Sequence, residues 1–301
     1  MFFNKFFGEN RIIFYFTASY GLGNALIELA VINYLYPKSR IYMFSSNKDT
    51  INELYDLKQN IHFTIYPWNK KFRVLIYFLK KILFKLTQLR LISRITETSN
   101  KKNHKFIKVI KGFFLNISLV DYSSHFQISK YLNDIHLPVN LNNYDSKLDQ
   151  LVKENKDLKK LNWEKTCFIH IRRGDYIYFP DKENPAILEL EWYLKAIKNI
   201  KDHVEVDKFL ILSDDKYYAK DIFSNYEEMV IYSNNILSDF LLMTKCKYGI
   251  LSPSTFSWCA AKLSKQRFKK ENYFIAPKYW IGHRTKTWIP SSFRFKWINY
   301  I

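Results

Sequence analysis

The chain has 301 residues, 48% of them hydrophobic and 18% aromatic, and 47 Lys and Arg against 28 Asp and Glu give a formal charge of +19. That much apolar surface offsets the entropy of ordering, which excludes wholesale disorder, and the length suits two ordinary domains. The charge attracts polyanions in general, whether nucleic acid, anionic lipid or phosphorylated small molecules, without choosing among them.

Three cysteines, Cys167, Cys246 and Cys259, are odd in number, lack short paired spacing and sit in apolar contexts. This argues against a disulfide framework or a zinc site and for a reducing compartment. The first residues show no basic start followed by an apolar core and a small-residue cleavage site, and no run reaches the roughly 18 apolar residues of a spanning helix. The expectation is a cytoplasmic protein.

In chain order, "RIIFYFTASYGLGNALIELAVINYLYP" reads as a short apolar strand, a break at Gly21 and Gly23, and a helix with apolar spacing that ends at Pro37. That is the first half of a βαβ unit, and "RIYMFSS" is its second strand. From Trp68 to Arg94 no acidic residue occurs; Leu75, Leu79, Ile82, Leu86 and Leu89 share one predicted face, and Lys80, Lys81, Lys85 and Arg90 fill the others. Such a helix either packs on its own domain with a solvated basic face or lies on the surface of an anionic membrane. A polar, helix-like stretch, "NLNNYDSKLDQLVKENKDLKKLNWEK", separates the halves, so the expected domains are 1–155 and 156–301.

The second half opens with the strand "TCFIHI", followed by the helix "NPAILELEWYLKAIKNI", for which Asn184 suits the cap and Pro185 the first turn. Strands "KFLILSDD" and "EMVIYS", helix "SDFLLMTKC", strand "YGILS", helix "PSTFSWCAAKLSKQ" and strand "NYFIAP" complete it. This alternation predicts an α/β fold with a helix-covered parallel sheet in each half. No internal repeat or low-complexity segment interrupts it.

Ligands of open α/β sheets bind beyond the carboxyl ends of the strands. There the second half places His170 to Asp175, then Ser213-Asp214-Asp215, then Ser252 to Thr255. Adjacent Arg172 and Arg173 repel each other and are costly to bury, so a fold that sets them at a strand end has an anion to hold. A guanidinium offers a two-pronged donor set to phosphate, and Ser254, Thr255 and the free amides of the helix they start would point at the same anion. Each device alone is commonplace, as a structural ion pair or an ordinary cap; together they favour a diphosphate. Asp239, near the start of a helix, is either a cap or an acceptor for the two N–H donors on guanine's edge. Asp214 and Asp215 are adjacent carboxylates rather than a coordination set, and a metal-free site is expected.

His170-Ile171-Arg172-Arg173-Gly174-Asp175-Tyr176 resembles the His-x-Arg-Arg-Gly-Asp-Tyr motif of the α-1,2-fucosyltransferases, glycosyltransferase family 11. "GLGNALIELA", with Gly21, Gly23 and Asn24, resembles the family's amino-terminal Gly-Leu-Gly-Asn-Gln segment, though Ala25 replaces the Gln. "LEWYLKAI", "LSDD", "DFLLMTKCKYGILSPSTFSWCAAKL" and "IAPKYW" follow in the family's order, and "GFFLN" at Gly112 loosely resembles its Gly-aromatic-aromatic-Gln segment. Pro253, Cys259 and Ala260 depart from the pattern.

The resemblance implies a GT-B architecture, two Rossmann-like domains facing across a cleft, without metal or cofactor, the donor substrate being GDP-β-L-fucose. It implies that His170 contacts the nucleotide, Arg172 and Arg173 neutralise the leaving diphosphate with Asp214 and Asp215 beside them, Asp239 reads guanine, and Ser254, Thr255, Phe256 and Ser257 form the phosphate-binding helix start. The partners it implies are a GDP-sugar donor and an oligosaccharide or glycolipid acceptor, with peripheral contact to an anionic membrane as a further expectation and no nucleic acid. For the base that deprotonates the acceptor, Asp175 is the first candidate and Glu28 the second; the alternative for Asp175 is an ion pair with its arginine neighbours. The rivals are a transferase using another nucleotide sugar and a basic nucleic-acid-binding protein, which would bind RNA or DNA with steep salt dependence.

Overall fold

The computed structural model describes residues 10–17, 21–45, 48–54, 63–67, 72–100, 105–121, 124–137, 139–269, 271–281, 283–286 and 293–301. The chain divides into two compact units, Met1–Asn140 with Ser291–Phe293 and Leu141–Pro290 with Arg294–Ile301. The division falls before the polar helix at 142–154 rather than at 155, because ion pairs tie that helix to the second unit: Asp145 to Arg267 at 2.9 Å and Asp149 to Lys245 at 2.7 Å.

The first unit contains strands β1 (Ile12–Phe16), β2 (Arg40–Ser45), β3 (Phe63–Pro67), β4 (Ser93–Ser99), β5 (Lys105–Ile110) and β6 (Ile117–Val120), with helices α1 (Leu22–Leu35), α2 (Lys48–Leu54), α3 (Arg73–Gln88) and α4 (Ser129–Leu132). The sheet order is β3-β2-β1-β6-β4-β5, parallel except for the β4–β5 hairpin. Chain order reverses between β1 and β6, the switch point at which such sheets bind ligands. Helix α1 is apolar almost all round, as a helix sunk in a core must be, and buries Glu28 among its leucines and isoleucines.

Helix α3 lies over the β1-β2-β6 face through a narrow stripe of Ile76 and Leu83, which meet Phe16, Phe44 and Leu119, with Leu79 and Leu86 packed alongside. The predicted inward face is only partly the one used. Leu75, Ile82 and Leu89 point outward, because Ile76 and Leu83, one position further round the helix, are the side chains turned toward the sheet aromatics. Residues 68–71 of the basic segment lie outside the described residues, and Arg94 belongs to β4.

The second unit contains α5 (Asn142–Glu154), β7 (Thr166–Ile171), α6 (Leu190–His203), β8 (Lys208–Ser213), α7 (Lys216–Phe223), β9 (Met229–Ile231), α8 (Ile236–Lys245), β10 (Tyr248–Ile250), α9 (Thr255–Phe268), β11 (Tyr273–Ala276) and β12 (Asn299–Tyr300). Its sheet, β12-β11-β10-β7-β8-β9, is wholly parallel and reverses order between β10 and β7. Every residue of β7 is buried, which explains its unbroken apolar run. The predicted start of α6 is corrected. Helix α6 begins at Leu190 with Glu189 as cap, since Asp181 instead closes a turn on the amides of Glu183 and Asn184. The tail adds strand β12 on β11, and no helix follows β11 among the described residues. The three cysteines are buried singly and unpaired.

Candidate functional site

In the second unit the order reversal brings the ends of β7, β8 and β10 side by side. Arg172 and Arg173 leave β7 as half-buried side chains. Arg172 reaches Asp214 through Nη1 at 2.6 Å and Asp175 through Nη2 at 2.5 Å. Arg173 donates from Nε to Asp215 at 3.1 Å, its amide donates to Asp214 at 2.8 Å, and its guanidinium lies 3.7 Å over the Tyr218 ring. Gly174 permits this: a Cβ there would stand 2.6 Å from the Asp214 carboxylate.

The arginine turn is stitched to the start of α9. The Arg172 amide donates to Ser252 Oγ at 3.0 Å, that hydroxyl donates to the His170 carbonyl at 2.5 Å, and Tyr176 Oη donates to the Pro253 carbonyl at 2.8 Å. Ser254 caps α9, accepting from the Phe256 amide at 3.3 Å, while the buried Ser257 hydroxyl turns back onto the Ser254 carbonyl at 3.1 Å. The amino end of α9 carries a partial positive charge, and the bonds just described tie it to the turn that bears the two guanidinium groups.

His170 is buried in β7 with its ring 5.5 Å from that of Phe256. Burial, aided by the nearby Arg172 charge, lowers its pKa to about 3, so it is a neutral imidazole at all working pH values, and its Nδ1 has no hydrogen-bond partner among the described residues. Asp239 is not the helix cap. Asn235 caps α8 in a reciprocal box with Ser238, and Asp239 stands a turn inside, accepting from the Asn234 amide at 3.1 Å. Burial raises its pKa to about 6. A carboxylate relieved of capping duty and partly desolvated is suited to an N–H-rich ligand edge.

The first unit carries a second constellation at its own switch point. Gly21 caps α1, and Asn24 and Glu28 follow one turn apart on that helix. Glu28 is 0% exposed, and its Oε1 lies 3.1 Å from Nδ1 of His125, on the loop after β6. Asn24 Oδ1 accepts from Gln127 Nε2 at 3.0 Å. Between these two contacts Phe126, fully buried, adopts a φ of 49°. A bulky residue in the left-handed region costs about 1–3 kcal/mol and persists only where its surroundings insist on it, often at functional sites. Burial raises the Glu28 pKa, with His125, Tyr15 and Thr17 opposing it; the hydrogen bond that His125 makes to Glu28 raises the pKa of the imidazole. Gly23 is buried within α1.

A comparison with known families matches glycosyl transferase family 11 over residues 20–301. The chain belongs to glycosyl transferase family 11. Among its relatives, the O-antigen biosynthesis glycosyltransferase WbnK of Escherichia coli is 31% identical over 139 residues, 44% of this chain and 44% of WbnK. This match spans less than half the relative's length. An α-1,2-colitosyltransferase of E. coli is 28% identical over 235 residues, 74% of this chain and 75% of that protein. The solved E. coli ADP-heptose lipopolysaccharide heptosyltransferase II resembles the chain with a TM-score of 0.50 at 12% identity, covering 97% of this chain and 90% of that one. That likeness concerns the fold alone, and it is the GT-B fold of two Rossmann-like units.

Of the residues expected to act, the structure gathers Arg172, Arg173, Asp175, Asp214 and Asp215 into one cluster with the α9 start, and places Glu28 and Asn24 together in the other unit. His125 and Gln127 join the second group without a sequence signal. A lone His in "SSHFQIS" carries no signal until the fold sets it against Glu28, 97 positions earlier. "GFFLN" lies elsewhere, with Phe113 and Phe114 on an exposed turn; the aromatic-Gln pair beside the Gly loop is Phe126-Gln127.

Proposed function

We propose that this family 11 member is an inverting transferase that moves L-fucose from GDP-β-L-fucose to the 2-hydroxyl of a galactose-type acceptor in surface glycan synthesis. The observation that carries this is the joining of the Arg172-Arg173 turn to the α9 start at the switch point of the second sheet. Transfer passes through an oxocarbenium-like state. The anomeric C–O bond to phosphate breaks, the electron pair and negative charge leave with GDP, and the acceptor oxygen forms the new bond on the opposite face. Arg172 and Arg173, oriented by Asp214, Asp215 and the Tyr218 ring, meet that charge as it develops. Asp239 accepts from guanine.

The acceptor's proton goes to His125. Its Nδ1 is occupied by Glu28, which leaves Nε2 as the basic nitrogen. Glu28 is sealed from solvent and acts by positioning the imidazole, and Asp175 is spoken for by Arg172.

A second reading keeps the mechanism and changes the sugar, favoured by the α-1,2-colitosyltransferase relative. Incubation with GDP-fucose, GDP-colitose, GDP-mannose and UDP-sugars over a panel of β-galactosides, with linkage analysis of products, separates the two. Turnover of GDP-fucose to a 1,2-linked product is expected. Inactivity with every GDP-sugar, together with steeply salt-dependent RNA or DNA binding, would overturn both.

A further inference from the structure

The outward face of α3 has no role in the chemistry above, yet it exposes a row of large apolar side chains. Leu75, Phe78 and Ile82 are 68%, 56% and 57% exposed, Leu89 continues the row at 60%, and all four lie along one edge of the helix. The turn before β6 extends it: the Phe113 amide donates to the Arg90 carbonyl at 2.8 Å and the Leu115 amide to Leu91 at 3.1 Å, which sets Phe113 and Phe114, 68% and 76% exposed, beside the end of α3. Single exposed leucines need no explanation, but a contiguous row of this size marks a contact surface.

Charge identifies the contact. No acidic residue occurs between Trp68 and Arg94, while Lys81 and Lys85 alternate with the apolar side chains on the exposed arc and Arg90 closes it. Asp121 after β6 and Glu97 in β4 are each paired with a cation, Arg94 and Lys105. A protein partner would bury lysines in the middle of its interface, from which they are normally depleted, and a second copy would meet like charge with like. At a bilayer the same pattern is favourable: leucine and phenylalanine enter the acyl boundary while lysine stems reach back to the headgroups.

We propose that the outward face of α3, with the Phe113–Leu115 turn, docks flat on an anionic lipid bilayer. The inference is independent of the donor and acceptor assignments. It is tested with the full chain and vesicles of phosphatidylcholine alone or with phosphatidylglycerol added. Flotation with the anionic vesicles only, weakening as salt rises, is expected. Lys81→Gln and Lys85→Gln should each lower the partition coefficient about fivefold, the equivalent of about 1 kcal/mol per charge near an anionic surface. Ile82→Glu should abolish flotation without lowering the melting temperature, since the side chain is exposed. Equal recovery with neutral and anionic vesicles, no recovery with either, or binding unmoved by Ile82→Glu and Lys85→Gln would overturn it. So would self-association in sedimentation that Ile82→Glu relieves while vesicles are ignored.

Discussion

At the end of β7, Arg172 and Arg173 stand half-exposed among three carboxylates, whereas after β6 one carboxylate, Glu28, is wholly buried against one imidazole. Partly exposed ion pairs are worth about 0–1 kcal/mol, so the arginines can exchange a carboxylate for a diphosphate at little cost. Glu28 is sealed and cannot trade its partner for water, so it stays on the half-buried His125. One unit therefore carries an exchangeable anion site and the other an imidazole held by a buried acid.

The largest test of that contrast is His125→Ala. We expect kcat to fall about 10²–10⁴-fold while GDP protection against thermal unfolding is unchanged. A loss below tenfold would leave the imidazole without a role as base. Arg173→Ala should do the reverse in binding, abolishing GDP protection and lowering kcat/KM about 10²–10³-fold; full retention of GDP protection would place the diphosphate elsewhere.

Two pH experiments sharpen the comparison. Because Glu28 raises the His125 pKa, the wild-type kcat should fall as pH drops through a value above the ordinary His figure of about 6.5, the protonated ring being unable to accept a proton. Glu28→Gln should move that limb to lower pH, and an unmoved limb would show that Glu28 only fills space. On the donor side, Asp239 has a pKa of about 6 and is an anion above it. GDP affinity measured by calorimetry should thus be constant above that pH and weaken below it, a dependence lost in Asp239→Asn. The smallest effect is expected for Asp175→Asn: turnover within a few-fold of wild type and little change in melting temperature, since the pair with Arg172 is largely solvated. A hundredfold loss would make Asp175 the base after all.

The donor constellation was legible because its parts are contiguous. Arg172 and Arg173 are neighbours in sequence at the end of an unbroken apolar run, and Ser254 to Ser257 sit together at a helix start. Local patterning likewise announced β1, α1 and the alternating elements of the second unit. It failed for β3 to β6, whose short mixed stretches acquire strand character only by pairing, and for the inward face of α3, where Ile76 and Leu83 outrank Leu75 and Ile82 because the sheet aromatics lie beneath them.

What the sequence determined on its own was the kind of charge and where it would cluster along the chain: adjacent guanidinium groups repel, so their placement implies an anion whatever the fold. What the tertiary structure decided was which distant groups meet. Glu28 is an ordinary surface-type residue by composition, and only burial beneath the loop after β6 pairs it with His125, whose ring stays partly exposed. Desolvation and pairing across 97 residues depend on parallel strands that return the chain to the same sheet edge, and no local pattern encodes them.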